Sequence, residues 1–197
     1  MKRIILASES PRRFDLLKSL GLDVLVIPSH IEEINHNNVS PEKYARELAH
    51  KKLESVKSTL NKDLSSLPMI AADTIVVLGK EIIEKPRDER HAEEMLRTLS
   101  GKTHHVFTSY VCTYNKEYRE RFVMSEVTFK KLHDSEIEWY LTHDEPYDKA
   151  GSYAIQGYGA FMIEAINGSY TNVVGLPLSH VVSDLTSLGF LVFPHEK

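Results

Sequence analysis

The run of residues 69–78 constrains the fold of this chain more than any other feature, because it is apolar except for Asp73 and Thr74 in its middle. A continuous apolar run of this length predicts a strand at the centre of a sheet. An ionised carboxylate inside such a strand is costly unless a cation or several hydrogen-bond donors accompany it. Asp73 is therefore a candidate functional residue, and a structural aspartate bonded to backbone at a strand bend is the alternative.

Strand and helix signals alternate along the whole chain. Serine followed by proline predicts a helix start at residues 10–11 and again at 40–41. Two alternating runs flank residues 115–118, which predicts a hairpin. This interleaving predicts an α/β fold with a mixed sheet, in a single domain of residues 1–197. The predicted strands are residues 4–7, 24–27, 69–78, 82–83, 105–114, 121–129, 153–155 and 161–166, and the predicted helices begin near residues 11, 41, 88, 134 and 177.

Composition and charge restrict the class of protein. Apolar residues make up 42% of the chain and charged residues 26%, which is ordinary for a globular protein. The net charge of -4 argues against a protein that coats nucleic acid, although a local basic pocket can still bind a small anion. The apolar run of residues 4–7 is too short for a signal peptide or a membrane span, so we expect a cytoplasmic protein with no membrane partner.

The cysteine and histidine residues give little sign of chemistry. Cys112 is the single cysteine, so an internal disulfide is excluded, and its alternating surroundings favour a small core residue over a catalytic thiol. His104 and His105 are adjacent in a predicted strand. Their side chains therefore face opposite sides and do not readily share a metal.

Two hydroxyl and two guanidinium side chains lie between the first predicted strand and the first predicted helix. They belong to Ser8, Ser10, Arg12 and Arg13. Unpaired backbone N–H groups at a helix N-terminus favour a phosphate, and arginine matches phosphate oxygens with several donors. The segment is a candidate phosphate-binding loop, with an ordinary capped helix and solvated arginines as the alternative.

Two lysines are further candidate anion contacts. Lys52 falls inside the apolar stripe of the helix that begins near residue 41. Its side chain either reaches an anion in a cleft or extends along the apolar surface to solvent. Lys85 follows Asp73 by a strand–turn–strand distance, which would return it to the same end of the sheet.

Acidic and amide side chains complete the candidate set. Glu32 and Glu33 follow the second predicted strand, and such a pair suits magnesium, with simple solvation as the alternative. Gln156 precedes Gly157, so its amide is able to approach a base edge closely, with a turn residue as the alternative. Carboxylates and cations near strand ends and helix starts are what metal-assisted attack on a polyphosphate requires.

Several blocks of sequence, in order along the chain, resemble the Maf family. That family is named for inhibition of septum formation, and its members act as nucleoside triphosphate pyrophosphatases. The blocks cover essentially the whole chain. They are Leu6-Ala7-Ser8-Glu9-Ser10-Pro11-Arg12-Arg13, Ala72-Asp73-Thr74, Lys85-Pro86, Leu99-Ser100-Gly101-Lys102, Lys149-Ala150-Gly151-Ser152-Tyr153-Ala154-Ile155-Gln156-Gly157, Gly168-Ser169-Tyr170 and Val174-Gly175-Leu176-Pro177.

The resemblance implies a fold, a cofactor and an assembly. The implied fold is similar to that of inosine triphosphatases, an elongated mixed sheet flanked by helices with a cleft between two lobes. A homodimer and a divalent cation, Mg²⁺ or Mn²⁺, are also implied. By motif, Asp73 corresponds to the catalytic base or a metal-binding carboxylate, and Glu33 to a second metal-binding carboxylate. The family's usual Asp-Glu pair is Glu32-Glu33 here, which leaves a role for position 32 open.

The same resemblance divides the remaining candidates by role. Phosphate binding is implied for Ser8, Ser10, Arg13, Lys52 and Lys85. Substrate selection is implied for Arg12, Thr74 and Gln156.

The blocks also resemble one branch of the family more than another. Ile155-Gln156-Gly157 and Glu84-Lys85-Pro86 resemble the branch that acts on dTTP and UTP, whereas the 7-methyl-GTP branch typically has glutamate in place of this glutamine. A glutamine amide offers a donor and an acceptor, which suits the carbonyl–NH–carbonyl edge of uracil or thymine. We therefore expect a hydrolase that converts dTTP and UTP, with related or modified pyrimidine nucleotides as further candidates, to the monophosphate and pyrophosphate. The alternatives are a 7-methyl-GTP pyrophosphatase and a nucleotide-binding regulator of cell division without turnover.

Overall fold

The computed structural model of this protein describes residues 2–32, 39–144 and 146–192. Its strands are β1 (Arg3–Leu6), β2 (Asp23–Val26), β3 (Met69–Leu78), β4 (Glu81–Ile83), β5 (Thr103–Tyr114), β6 (Glu117–Phe129) and β7 (Ile163–Asn167). Its α-helices are α1 (Pro11–Ser19), α2 (Pro41–Lys57), α3 (Glu89–Leu99), α4 (Asp134–His143), α5 (Tyr170–Val174) and α6 (Leu178–Ser187). Short 3₁₀ segments occur at Leu64–Ser66, Pro146–Asp148, Ala150–Ser152 and Gly157–Met162.

A mixed sheet connects the strands in the order β2-β1-β3-β5-β6-β7, with β4 paired to β3. β1 is parallel to β2 and to β3, whereas β4 is antiparallel to β3 and β7 is antiparallel to β6. β3 is buried along almost its whole length, as expected for a strand whose two faces are both covered. The structure confirms the predicted α/β class with a mixed sheet and flanking helices.

Local signals in the sequence account for several element boundaries. Each of the two serine–proline pairs begins a helix, α1 and α2, as predicted. At the start of α2, Ser40 Oγ accepts a hydrogen bond from the Lys43 amide over 3.3 Å. Asn115 and Lys116 both have positive φ and form the two-residue turn between β5 and β6, a turn type that requires this backbone.

Contacts within the chain divide it into two compact units, each assembled from separate segments. Buried apolar residues include Leu17, Ile70 and Leu185 in the first unit and Leu96 and Phe129 in the second. A single domain with a cleft between two lobes stays a prediction. The first unit comprises Met1–Asp73, Thr108–Phe122 and Gly175–Lys197, and the second comprises Thr74–Phe107 and Val123–Val174.

The strand predicted at residues 153–155 is wrong, since the described structure assigns no strand there. Tyr153 itself has an extended backbone. Gly151 and Ser152 before it and Gly157 after it have φ values of 73°, 62° and 69°. These left-handed residues confine the extended stretch to a length too short to pair with another strand.

Helix α5 was not predicted. Its five residues include a threonine, an asparagine and two valines, all of which have modest helix propensity, so the sequence carries no local helix signal there. Among the described residues, no helix is both long enough and apolar enough to cross a membrane.

Candidate functional site

Alternation along β3 places Asp73 on the same face of the sheet as Met69 and Ala71, because side chains two residues apart in a strand share a face. Met69 and Ala71 pack with Ala49 and Leu53 of α2. Helix α2 therefore covers the face on which Asp73 lies, and Asp73 is buried.

Lys52 is the residue of α2 that meets this carboxylate. Its Nζ donates a hydrogen bond to Oδ1 of Asp73 over 2.6 Å, and the two side chains are only 9% and 7% exposed. Lys52 lies inside the buried stripe of α2, as the spacing predicts. Each charge offsets the cost of burying the other, and removing one partner of such a pair typically costs about 3–5 kcal/mol.

Asp73 occupies a particular position along β3. Strand β1 pairs with β3 at Met69 and Ile70, and β4 pairs with it from Val76 onwards. Asp73 lies between these two paired stretches, just past the carboxyl end of β1. Ligands of α/β proteins bind outside the carboxyl ends of strands, so this is a favourable place for a functional side chain.

Arg13 is buried at the start of α1 rather than solvated. Its Nη1 donates to Ser8 Oγ over 3.0 Å, and its Nε donates to the carbonyl oxygen of Gly175 over 2.8 Å. Ser8 Oγ also accepts a hydrogen bond from the Ser10 amide over 3.2 Å. These bonds use the acceptor sites of the Ser8 hydroxyl, so its O–H is able to donate to a phosphate oxygen. The loop is therefore ordered by its own polar groups, which favours the phosphate-binding interpretation.

The two other candidates on this segment are less enclosed. Ser10 is the N-cap of α1, makes no side-chain capping bond and is half-buried, as is Arg12. Both lie where backbone N–H groups and the helix dipole favour an anion. The structure thus brings Ser8, Ser10, Arg12 and Arg13 to one helix start in the first unit, and their assigned roles stay predictions.

Thr74 and Lys85 belong to the second unit. Thr74 follows Asp73 on β3 and is half-buried, and as the next residue of a strand it points to the opposite face of the sheet. Lys85 is exposed and follows β4. The carbonyl of Glu84 accepts a hydrogen bond from the Gly151 amide over 3.1 Å, which ties the backbone before Lys85 to another loop of the second unit.

Gln156, on that loop, is exposed at a tight turn. Gly157 follows it with φ of 69°, a backbone that favours glycine. A Cβ atom at Gly159 would lie 2.3 Å from the carbonyl oxygen of Ala154, so this close approach also requires glycine. The turn presents the Gln156 side chain to solvent, where a small ligand could reach it.

The predicted metal ligands are only partly described. Glu33 lies outside the described residues. Within residues 2–32, 39–144 and 146–192, no group of three or more His, Cys, Asp or Glu side chains is arranged to hold a metal. Mg²⁺ is commonly held by one or two carboxylates together with phosphate oxygens and water, so the carboxylate chemistry of Asp73 fits such an ion.

A second buried carboxylate, Asp184 on α6, was missed. Its Oδ2 accepts hydrogen bonds from the Tyr110 hydroxyl over 2.6 Å and from Arg121 Nε over 2.8 Å, and Oδ1 accepts from Arg121 Nη2 over 2.6 Å. Burial acts to raise the pKa of Asp184, but the hydrogen bonds from Arg121 and Tyr110 outweigh it and hold that pKa below its usual value. A signal was available, because Asp184 lies inside the apolar stripe of α6 with Val181 and Leu185.

The cysteine and the paired histidines lie as predicted. Cys112 is fully buried in the first unit, and burial raises the pKa of its thiol to about 12, so it is a core residue. His104 is fully buried whereas His105 is half-buried, which confirms that they face opposite sides of β5.

The mixed sheet, the buried lysine–aspartate pair and the arginine at a helix start define an α/β protein with a candidate anion site. Residues 3–188 match the family described as Maf-like protein, and the chain belongs to that family. A Syntrophus aciditrophicus protein called dTTP/UTP pyrophosphatase is 44% identical over 198 residues, which cover 100% of this chain and 95% of that protein. An Escherichia coli (strain K12) protein of the same name is 43% identical, covering 100% and 98% of the two chains.

Two further similarities are more distant. A Haemophilus ducreyi protein called nucleoside triphosphate pyrophosphatase is 39% identical, with 98% of each chain covered. Among solved structures, the Staphylococcus aureus Ham1 protein is similar with a TM-score of 0.46 and 16% identity, covering 82% of this chain and 80% of that one.

Proposed function

We propose that this protein is a nucleoside triphosphate pyrophosphatase that hydrolyses dTTP and UTP to the monophosphate and pyrophosphate. The observation that carries the proposal is the buried pair of Lys52 and Asp73, in which a carboxylate is held in the middle of a strand by a lysine. The substrate class is supported by full-length relatives at 44% and 43% identity that are called dTTP/UTP pyrophosphatases.

Asp73 is the proposed base for attack by water. The water oxygen forms a bond to the α-phosphorus while Asp73 takes a proton from it. The bond between the α-phosphorus and the oxygen that bridges to the β-phosphorus breaks, and pyrophosphate leaves. A positioned base typically contributes about 10²- to 10⁴-fold to the rate.

The ordered loop before α1 is the proposed binding site for the triphosphate. Arg13 is fixed by Ser8 and by the backbone of Gly175, so its guanidinium is oriented before substrate binds. Ser10 adds its hydroxyl at the helix N-terminus, where anions are favoured. Lys52 and Lys85 are the proposed lysine contacts, and the positive charges of Arg13 and of these two lysines stabilise the negative charge that develops on pyrophosphate.

Gln156 is the proposed reader of the base. Its amide oxygen accepts from the ring N–H of uracil or thymine, and its amide nitrogen donates to the adjacent ring carbonyl, whereas cytosine and adenine have no ring N–H on that edge. Arg12 and Thr74 are the further residues proposed to select the substrate.

A divalent cation, Mg²⁺ or Mn²⁺, is part of the proposal, with Asp73 and Glu33 as its carboxylates. Such an ion supplies charge stabilisation at phosphate oxygens and a more acidic bound water. A homodimer and a cytoplasmic location are further proposals that follow from membership of the family.

Release of pyrophosphate from a nucleotide panel tests the proposal. The panel contains dTTP, UTP, CTP, ATP, GTP and 7-methyl-GTP, each with magnesium, with manganese and with chelator. Turnover of dTTP and UTP that is sensitive to chelator and lost in Asp73→Asn is the expected result. Turnover of 7-methyl-GTP alone would keep the enzyme class and overturn the role of Gln156. Nucleotide binding without turnover of any member of the panel would contradict an enzyme and favour a nucleotide-binding regulator.

A further inference from the structure

The segment that leads to Gln156 has an unusual backbone. Gly151 has φ of 73° and Ser152 has φ of 62°, and both lie in the left-handed region. For serine this conformation is uncommon and persists only where the surroundings hold it in place. Ser152 is fully buried, and its Oγ donates to Sδ of Met95 over 3.0 Å. Packing in the second unit, rather than local preference, therefore sets the course of this segment.

Tyr153 is the next residue and anchors the segment. Its ring is buried and lies edge-on to Phe129 and to His104, with ring centroids 4.7 Å and 5.4 Å away. The Tyr153 hydroxyl and Nε2 of His104 share a hydrogen bond of 2.7 Å. His104 is itself edge-on to Phe129 at 5.0 Å, so the three rings pack as one group.

The surroundings of the His104 imidazole show what a histidine contributes at this position. Burial, with a smaller effect of His105, lowers the pKa of His104 to about 4, so the imidazole is neutral near neutral pH. Its Nδ1 is buried and has no hydrogen-bond partner among the described residues. Burying a polar nitrogen without a partner is unfavourable, and an apolar side chain would fill the space at lower cost. What the histidine adds is its bond to the Tyr153 hydroxyl.

The anchor lies close in sequence to the proposed base-reading residue. Gln156 is three positions after Tyr153, and the turn that follows closes back onto Ala154, where the backbone of Gly159 approaches the Ala154 carbonyl too closely for any Cβ. The position of Tyr153 and Ala154 therefore determines the position of Gln156.

We propose that His104 is a positioning residue for base recognition, because its bond to the Tyr153 hydroxyl fixes the backbone that presents Gln156. This inference rests on the proposed function, since it takes Gln156 as the reader of the base. His104 does not touch the nucleotide and acts through Tyr153.

Tyr153→Phe in the full-length protein is the direct test, because it removes the hydroxyl and keeps the ring. Steady-state pyrophosphate release is measured with dTTP, UTP and CTP. The ratio of kcat/KM for dTTP to that for CTP is expected to fall about fivefold to tenfold, the effect of one lost hydrogen bond, mainly through a higher KM for dTTP. His104→Leu is expected to behave in the same way, whereas His104→Gln, which keeps a side chain able to hydrogen-bond the Tyr153 hydroxyl, retains part of the ratio.

A second set of variants separates positioning from general stability. His105→Leu changes the neighbouring histidine on the opposite side of β5 and is expected to leave the ratio unchanged. In a Gln156→Ala background, Tyr153→Phe is expected to have no further effect on the ratio, because the two residues act in series. An unchanged ratio in Tyr153→Phe, with all nucleotides slowed equally, would overturn the inference, as would fully additive losses in the double variant.

Failure of the proposed function has a different signature. If the wild-type protein releases no pyrophosphate, or uses dTTP and CTP equally, the proposed function or the role of Gln156 is wrong, and the inference falls with it. If the wild-type protein prefers dTTP and Tyr153→Phe keeps that preference, only the inference is wrong.

Discussion

The two units of the molecule hold their candidate functional residues in different ways. In the first unit, four candidate residues are buried and are joined in hydrogen-bonded pairs, Ser8 with Arg13 and Lys52 with Asp73. In the second unit Lys85 and Gln156 are exposed, and the feature that is fixed is the backbone that carries them.

This difference suits two separate tasks. Chemistry at the phosphates is the same for every nucleotide, so its groups benefit from buried partners that hold their charge and orientation. Selection of a base requires an exposed side chain whose polar groups pair with the base when the nucleotide binds. We therefore expect substitutions at these four buried residues of the first unit to affect all nucleotides alike and to affect stability, and substitutions at Gln156 to affect the choice of nucleotide.

The largest expected effect is that of Asp73→Asn. Loss of the base lowers kcat for every nucleotide by at least about 10²-fold. The melting temperature falls as well, because Lys52 stays buried without its counter-charge. Pyrophosphate release and thermal denaturation measure the two effects, with exposed Asp63→Asn as the control.

Adding Lys52→Met to this variant separates chemistry from stability. The double variant no longer buries an unpaired charge, so it is expected to regain part of the lost stability and to stay inactive. Full activity in Asp73→Asn would contradict the role of the carboxylate.

The second largest effect is expected for Arg13→Lys. A lysine cannot bond Ser8 and the Gly175 carbonyl with the geometry of a guanidinium, so kcat/KM falls about tenfold to hundredfold. The fall is expected to be equal for dTTP and UTP. Arg12→Lys, at the adjacent half-buried position, is the matched comparison and is expected to change the ratio between nucleotides. A changed ratio in Arg13→Lys instead would break the contrast between the buried residues of the first unit and Gln156.

A smaller effect, confined to substrate choice, is expected for Gln156→Glu. The carboxylate has no donor for a ring carbonyl, so kcat/KM for dTTP and UTP falls about tenfold while the melting temperature is unchanged. Gln156→Met removes the amide without adding charge and is expected to cause a similar loss. If both variants kept the wild-type kinetics with dTTP, Gln156 would have no part in recognising the base.

The smallest effect is expected for Tyr110→Phe, which removes one hydrogen bond to Asp184. The free energy of unfolding falls by about 1 kcal/mol, measured by denaturant titration, while the kinetic constants stay the same. Tyr170→Phe, at an exposed tyrosine of the second unit, is the control. A change in nucleotide turnover would show that stability and chemistry of the first unit are coupled here.

The same network predicts a direction of pH dependence. The pKa of Asp184 is lowered in the folded protein, so its carboxylate stabilises the fold above the ordinary aspartate pKa, and this stability is lost as the pH falls through the folded value. The difference between the wild type and Tyr110→Phe is therefore expected to be largest at neutral pH. It shrinks below about pH 4.

Most of the elements, and the inward charges of Asp73 and Lys52, were predictable because they follow from periodicity. The apolar run of residues 69–78 predicted β3 with Asp73 inside it. The apolar stripe of α2 predicted that Lys52 lies on the inward face of that helix. That the two side chains meet follows from alternation in β3 once α2 is known to cover that face. The same stripe test applied to α6 would have identified Asp184.

Contacts between distant residues were not predictable from these patterns. Arg121 and Asp184 are separated by 63 positions, and Arg13 and Gly175 by 162, so no local spacing relates them. The strand predicted at residues 153–155 failed for a related reason. The left-handed backbone of Ser152 is imposed by packing, and nothing in the local sequence indicates it.

The interleaving of the two units along the chain has a consequence for inheritance. The chain leaves the first unit at Asp73, returns at Thr108, leaves again at Phe122 and returns at Gly175. Neither unit therefore corresponds to one continuous stretch of the gene. A fusion or crossover that transfers one continuous stretch cannot carry either unit whole without part of the other. Phosphate chemistry and base selection are consequently expected to pass between genomes together, and new substrate preferences to arise by point substitution rather than by exchange of modules.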